Sequence, residues 1–307
     1  MKTRHILPLA SLTFVSVAFS PRTFAAPPAA CAIVNHGGKQ VTDKNITYTS
    51  STISTPDHKT SLSIGEMSYT ISAAASATDL QDQADAASLL LVSAMVGHHN
   101  AACSAWLKKQ GQAIATGLEA GQSYNLTWNN ASISHQKTGI SLSSAALSLS
   151  GKTGEGNAAA SLAMQGLAYK NIANQDLLPE SAHAAFSLPS SELPGLMAAI
   201  GGKTKEAPAV HVTISDLSAQ NSDITLGGHG SAVLTGNVDA TSAEGHLEIQ
   251  NIESLIQKVR AIGQLKLAAA LVMARFVSHR ESDGGNSWNA TWSGGILTVN
   301  GIPLPIK

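Results

Sequence analysis

The chain has 307 residues, of which 43% are hydrophobic, 13% charged and 4% aromatic, and its formal net charge is −1 at pH 7. A hydrophobic share of this size, much of it regularly patterned, is enough to bury a core and argues against intrinsic disorder. The low, slightly negative charge argues against a nucleic-acid-binding protein, because such proteins carry clustered Lys and Arg that displace counterions.

The first 25 residues have the pattern of a secretory signal peptide. A basic start at Lys2 and Arg4 precedes an apolar stretch, and small residues follow at the cleavage position. The apolar stretch is shorter than the roughly 20 residues that span a bilayer. We therefore expect cleavage after Ala25 and export to the periplasm, with a retained membrane anchor as the alternative. The mature chain would then keep 16 basic and 20 acidic residues.

The chain has two cysteines, Cys31 and Cys103. Two cysteines of one exported chain most often pair in an oxidising compartment, so we predict a disulfide between them. Two alternatives stay open at this point. Cys31 follows two alanines, as the lipid-accepting cysteine of a lipoprotein does, and both thiols could also be free.

The N-terminal half alternates between strand and helix patterns. Residues 26–40 are rich in Pro and Ala, and we predict an unstructured leader there. Residues 41–75 show the alternating polarity of half-buried strands. Residues 79–119 carry helix formers almost throughout. Asp79 is the predicted N-cap, and Gly97 is predicted to separate two helices.

Strand patterns return over residues 122–169. Within them Leu142 and Leu147 fall on opposite parities of the alternation. This change of parity predicts a bulge or bend near Ser144. A short helix is predicted after Ser190.

The C-terminal third gives the clearest pattern. An antiparallel meander of four short strands, about 10–12 residues apart, is predicted from apolar residues at 210–214, 224–226, 234–238 and 247–249. A helix is predicted over residues 253–280, and two closing strands over 288–292 and 296–299. One stripe of the helix is apolar and is interpreted as either core or lipid-facing. Its residues are Leu255, Val259, Ile262, Leu265, Val272 and Phe276.

These patterns predict an α+β fold, in which residues 41–307 form one elongated domain with a long, mostly antiparallel, curved sheet and helices on one face. A sandwich without helices is the structural alternative. The helix predicted at 253–280 is also basic, so it is either a core helix with a solvated polar face or an amphipathic surface for anionic lipid. Its basic residues are Lys258, Arg260, Lys266, Arg275 and Arg280.

Residues 227–307 resemble a known group of proteins. The segments that carry the resemblance are GGHG at 227–230, EGHLEI at 244–249 and GGILTVNGIPL at 294–304. They resemble the C-terminal part of an uncharacterised exported family of Gram-negative bacteria, distantly related to the AsmA and YdgA groups. The resemblance implies a β-groove protein that moves or accommodates lipids between envelope membranes.

The sequence contains neither a nucleophile-elbow motif nor a zinc-protease motif. His98 and His99 with Cys103 offer too few ligands for a complete metal site. We predict no catalytic residue, cofactor or metal, although an enzyme could still assemble a site from scattered acids such as Asp216 and Asp223.

We therefore expect a non-enzymatic envelope protein that binds or shields a lipid or another apolar ligand along its sheet. The expected partners are a lipid or membrane surface and unidentified proteins. The alternative is a periplasmic structural or interaction module without a small-molecule ligand.

Overall fold

A computed structural model describes residues 26–96, 100–199, 209–235 and 239–304. Within these residues, fifteen strands form one antiparallel sheet. The strands are β1 (Ile33–Val41), β2 (Asn45–Ser54), β3 (Thr60–Ile71), β4 (Ser123–His135), β5 (Thr138–Ser150), β6 (Asn157–Gln165), β7 (Ala168–Lys170), β8 (Ser181–Pro189), β9 (Val210–Asn221), β10 (Ile224–Leu234), β11 (Ser242–Gln250), β12 (His279–Arg280), β13 (Asn286–Ser293), β14 (Ile296–Val299) and β15 (Ile302–Leu304). The helices are α1 (Ala77–Val96), α2 (Ala101–Glu119), α3 (Leu193–Ala199), α4 (Ile252–Ala261) and α5 (Leu265–Phe276).

The strand order follows the chain from β1 to β15, except that β7 and β12 are short side branches on β5 and β13. Such a meander needs only short connections between neighbouring strands. The β4–β5 and β9–β10 hairpins each turn through two residues, and the first of these residues, Gln136 or Ser222, has a positive φ. This is the backbone twist that tight hairpins require.

The larger of two hydrophobic clusters lies between the N-terminal strands and the helices α1 and α2. Helix α1 contacts β2, β3 and β4. Trp128 on β4 is fully buried and donates its indole N–H to the hydroxyl of Ser88 on α1, with 3.2 Å between nitrogen and oxygen. The buried indole and its hydrogen bond fix the position of α1 over the sheet.

In this half of the sheet, the alternation of buried and exposed residues shifts by one position at one point along β4 and β5. Leu142 and Ala145 on β5 are both buried, with two residues between them. On β4 the corresponding exposed pair includes Asn130, whose φ is +54°. The irregularity predicted near Ser144 is present on both strands, without a shift of register between β4 and β5.

The second hydrophobic cluster joins α4 and α5 to the C-terminal strands. Trp288 on β13 is 3% exposed, and its indole N–H donates to the carbonyl oxygen of Ala274 on α5 at 2.7 Å. Ala268, Ala270 and Ala274 are the buried residues of α5. Leu271 and Val272 of α5 are half-buried and also pack against this cluster.

The α+β class and the long antiparallel sheet are confirmed, and several local predictions are wrong. Residues 26–40 are not unstructured throughout, because β1 begins at Ile33. Ser76, not Asp79, caps α1: its hydroxyl accepts the N–H of Asp79 at 3.1 Å. A local hydrogen bond of this kind is a frequent N-terminal cap.

Two further corrections concern the C-terminal third. The strand predicted at 234–238 is not separate: Leu234 is the last residue of β10, and 236–238 lie outside the described residues. The helix predicted over 253–280 is two helices, because Gly263 adopts a φ of +78° between them. A positive φ does not fit a right-handed helix, and glycine adopts it without steric strain. The short helix predicted after Ser190 is confirmed as α3.

Candidate functional site

The candidate site is a shallow apolar groove where β10 and β11 run between the two hydrophobic clusters. Its cavity has a volume of about 180 Å³. Drug-sized ligands occupy pockets of roughly 300–1,000 Å³, so this groove takes one apolar chain or ring, not a whole large ligand. The apolar side chains that line the groove are Ile214, Leu217, Leu247, Ala243, Ala290, Trp292 and Leu297.

Glycines form the floor of the groove. Gly230 and Gly245 face each other across β10 and β11. A Cβ atom at Gly245 would lie 2.2 Å from the carbonyl oxygen of His229, and a Cβ at Gly230 would lie 2.2 Å from that of Glu244. The two backbones approach too closely here for any other residue, and the floor therefore stays free of side chains.

A bulge beside the glycines adds to this irregularity. The register between β9 and β10 shifts between Gly228 and Gly230, and the register between β8 and β9 shifts at Ala185 and Phe186. Bulges bend a strand and increase its local twist. The groove thus lies where the sheet departs most from regular pairing among the described strands.

The opposite face of the same strands is polar. His183 on β8 hydrogen-bonds Asp216 on β9 at 2.8 Å, and the rings of His229 and His246 lie 5.5 Å apart between centroids. The side chains of His183 and Asp216 are 40% and 58% exposed, His229 is exposed and His246 is half-buried. Among the described residues no group of three or more His, Cys, Asp or Glu side chains has metal-binding geometry.

A second polar cluster is buried between β1, β2 and α1. The imidazole of His36 bonds the Ser51 hydroxyl through Nδ1 at 2.8 Å and the Asp85 carboxylate through Nε2 at 2.9 Å. The ring also stacks on Tyr48, with 3.9 Å between centroids and 13° between planes. Ser51 is 2% exposed and Asp85 1%.

The Ser51–His36–Asp85 chain has the residue types of a hydrolytic triad. A nucleophile must reach its substrate, however, and Ser51 is only 2% exposed in this conformation. Ser51 and Asp85 also provide hydrogen-bond partners for both ring nitrogens of the buried imidazole. A buried ring nitrogen without a partner would destabilise the folded protein. The geometry favours a packing role for this cluster.

Asp82 lies one helical turn before Asp85 and is 2% exposed. Burial, and then the nearby carboxylates of Asp85 and Asp79, raise the pKa of Asp82 from 3.8 to about 7, against the opposing charge of Lys109. Burial likewise raises the pKa of Asp85, while the hydrogen bond from His36 lowers it. One oxygen of each carboxylate has no hydrogen-bond partner within the described residues. The cluster is therefore electrostatically strained near neutral pH.

The structure separates the residues of the predicted apolar stripe. Val259 is fully buried and Leu255 half-buried on α4, whereas Leu265 and Phe276 on α5 are 70% and 85% exposed. Ile262, in the turn after α4, lines another cavity of about 440 Å³ that also includes charged residues. Val272 is half-buried against the second cluster. The stripe is thus neither one core face nor one exposed face.

The predicted disulfide between Cys31 and Cys103 is present and joins the start of β1 to α2. His98 and His99 lie outside the described residues, as does the predicted signal peptide of residues 1–25. None of the described helices is long and apolar enough to span a bilayer.

Sequence reasoning predicted an apolar site along the sheet but did not locate the groove, and it missed the buried His36 cluster. A signal for the cluster existed, since Asp82 and Asp85 stand at i, i+3 on the helix side that also carries Leu89 and Val92. Comparison with known proteins adds no assignment: no family model, curated protein or solved structure matches the chain.

Proposed function

We propose that this is a non-enzymatic, exported envelope protein that binds an apolar chain, such as the acyl chain of a lipid, in the groove over β10 and β11. The observation that carries the proposal is the composition of the groove: a glycine floor between aliphatic and aromatic walls, open on a sheet whose opposite face is polar. Apolar lining with few polar groups is typical of sites for apolar ligands.

In this proposed arrangement, α1 and α5 lie on the same face of a curved sheet, and the groove lies between them. Its support is one row of cross-strand neighbours that runs from β3 to β13. At one end, Tyr69 donates its hydroxyl to Gln83 of α1, and at the other end Trp288 donates to α5. Residues paired across a sheet point to the same side. The row is Tyr69, Leu126, Leu147, Leu162, Ala184, Leu217, Gly228, Leu247 and Trp288.

The alternative, an interaction module without a small ligand, has its own support in the edges of the sheet. Each of the described edge strands, β1 and β15, pairs with one neighbour. An edge strand offers unpaired backbone groups to a strand of a partner protein. The binding experiment below distinguishes the two functions.

The first test is native mass spectrometry of the protein purified from an envelope fraction, combined with lipid extraction. We expect a near-stoichiometric apolar ligand. The second test uses a fatty acid with a brominated chain, which quenches nearby tryptophan. Trp292 lines the groove and is half-buried, whereas Trp106, Trp128 and Trp288 are buried. We expect saturable quenching that is strongly reduced in Trp292→Phe.

A matched pair of variants locates the binding site. Ala243→Leu fills the groove from β11 and should reduce binding of the brominated fatty acid by at least about tenfold, because the leucine occupies the volume of the ligand. Ala185→Leu makes the same change on the opposite face of β8 and should leave binding unchanged. An apo protein with no quenching, or equal binding by both variants, would refute the groove as a ligand site and favour the interaction module.

A further inference from the structure

Helix α5 has an unusual distribution of apolar residues. Its buried residues are three alanines, Ala268, Ala270 and Ala274. Leu265, Met273 and Phe276 are 70%, 44% and 85% exposed. A helix on the surface of a soluble domain normally buries its large apolar residues and exposes polar ones. Leu271 and Val272 are half-buried against the second cluster, so the helix has apolar residues on its packed side and a second set of large apolar residues on its outer side.

The outward residues form one continuous face. Leu265, Ala269, Met273 and Phe276 recur at i, i+4, i+8 and i+11, so they lie on one side of the helix, and all four are exposed. Scattered single apolar residues on a surface are ordinary, whereas a contiguous apolar face marks an interaction site.

Two hydrogen bonds and an ion pair fix the orientation of α5, with this face toward solvent. Trp288 donates its indole N–H to Ala274 at 2.7 Å, and Asn300 donates its amide to the carbonyl oxygen of Val277 at 2.6 Å. Arg275 forms an ion pair with Glu253 of α4 at 2.5 Å. Because these contacts and the packed residues Leu271 and Val272 hold the inner side of α5, rotation of the helix to bury Phe276 would break them. The apolar face is therefore preformed.

The charges around the face select the partner. Helix α5 contains two basic residues and no acidic ones, and exposed Arg260 and Arg280 flank it. Lys266 borders the apolar face itself. The whole chain, in contrast, has 20 acidic and 19 basic residues. Arg275 is paired with Glu253, so Lys266 and Arg280 are the cations that accompany the large apolar residues. This combination complements a surface with anionic headgroups above an apolar interior.

We propose that α5 is a membrane-surface helix, which inserts Leu265, Met273 and Phe276 at the headgroup boundary of an anionic lipid bilayer while Lys266 and Arg280 contact the headgroups. This inference does not rest on the groove. It deepens the proposed function, however, because Leu247 and Leu297 of the groove wall also pack against the cluster that contains α5. A chain that enters the groove would thus do so next to the docked helix.

The test is flotation of the whole protein with vesicles of phosphatidylethanolamine and phosphatidylglycerol, compared with vesicles of phosphatidylcholine alone. We expect binding to the anionic vesicles that weakens as salt is raised, because salt screens the headgroup charges. Leu265→Ser with Phe276→Ser should lower the partition coefficient by at least about tenfold, since burial of apolar area drives interfacial binding. Lys266→Gln with Arg280→Gln should lower it by roughly fivefold for each charge removed.

The matched control is Ile33→Ser with Val41→Ser, which replaces two exposed apolar residues of β1 at the other edge of the sheet. This control should float as the unchanged protein does. Ala243→Leu, which blocks the groove, should also float, so that loss of ligand binding in the groove can be distinguished from loss of membrane binding by α5. Circular dichroism and unfolding midpoints confirm that each variant is folded.

Three results would overturn the proposal. The first is no flotation with anionic vesicles at low salt. The second is flotation that survives the Leu265 and Phe276 substitutions, which would place binding in another part of the chain, such as residues 1–25. The third is a protein that is dimeric without vesicles and becomes monomeric on those substitutions, which would make the face a contact between two copies.

Discussion

Asp82 provides the sharpest test of the buried polar cluster. The pKa of this carboxyl is raised from 3.8 to about 7, first by burial and then by the neighbouring carboxylates. The unfolded chain lacks these effects and releases the proton near pH 4. Between about pH 4 and pH 7 the folded protein therefore holds a proton that the unfolded chain has released, so the free energy of unfolding falls as pH rises through this window.

The size of the effect follows from the shift. Each pKa unit corresponds to about 1.4 kcal/mol, so a shift from 3.8 to about 7 sets an upper limit of roughly 4 kcal/mol at pH 8. Asp82→Asn keeps the shape of the side chain and removes its charge. We expect this variant to be more stable than the unchanged protein by about 2 kcal/mol or more at pH 8, and equally stable near pH 4.

The assay is urea unfolding followed by tryptophan fluorescence at a series of pH values from 4 to 8. Asp85→Ala is the control, because alanine, unlike asparagine, has no oxygen to hydrogen-bond Nε2 of the His36 ring. We expect that variant to be destabilised across the whole pH range. If Asp82→Asn is destabilised at pH 8, or if its unfolding free energy keeps the original pH slope, then the charge of Asp82 is not strained and the reasoning is wrong.

Two further predictions concern the framework. Replacing Cys31 and Cys103 by Ser should lower the free energy of unfolding by about 4 kcal/mol, because the lost bond closes a loop with a sequence separation of 72 residues. The urea midpoints of this variant and of the reduced protein should agree. A smaller loss of stability would show that the unfolded chain retains structure. Gly245→Ala should lower the thermal midpoint, with a stability loss of about 1–3 kcal/mol, since its Cβ would meet the carbonyl oxygen of His229 at 2.2 Å. Gly227→Ala, with its nearest contact at 3.9 Å, should change the midpoint little, and equal effects of the two substitutions would contradict the close approach of β10 and β11.

Much of the fold was predictable from local pattern. Alternation of polarity located most of the strands, and the change of parity at Ser144 was visible because side chains alternate strictly along a strand. The disulfide was predicted from the number of cysteines, and the structure confirms it. The resemblance to AsmA-related proteins and the predicted export stay predictions, since no comparison or described residue tests them.

The helix over 253–280 shows where local pattern was insufficient. Apolar residues at helical spacing gave a single stripe, and the break at Gly263 placed its two halves on separate helices with different orientations. Whether Leu265 or Ala268 faces the sheet depends on which side of α5 fits against Trp288. Periodicity along the chain contains no information on that contact.

The sequence by itself determined the alternation of strands and helices, the antiparallel pairing of consecutive C-terminal strands and the low, nearly balanced charge, because these depend on neighbours along the chain. Tertiary structure alone decided which polar groups are buried, where the groove lies and which face of α5 is exposed. His36 and Asp85 are 49 residues apart in the chain and 2.9 Å apart in space. Burial and close approach are set by packing between distant segments, and packing energies depend on the shape of the whole molecule.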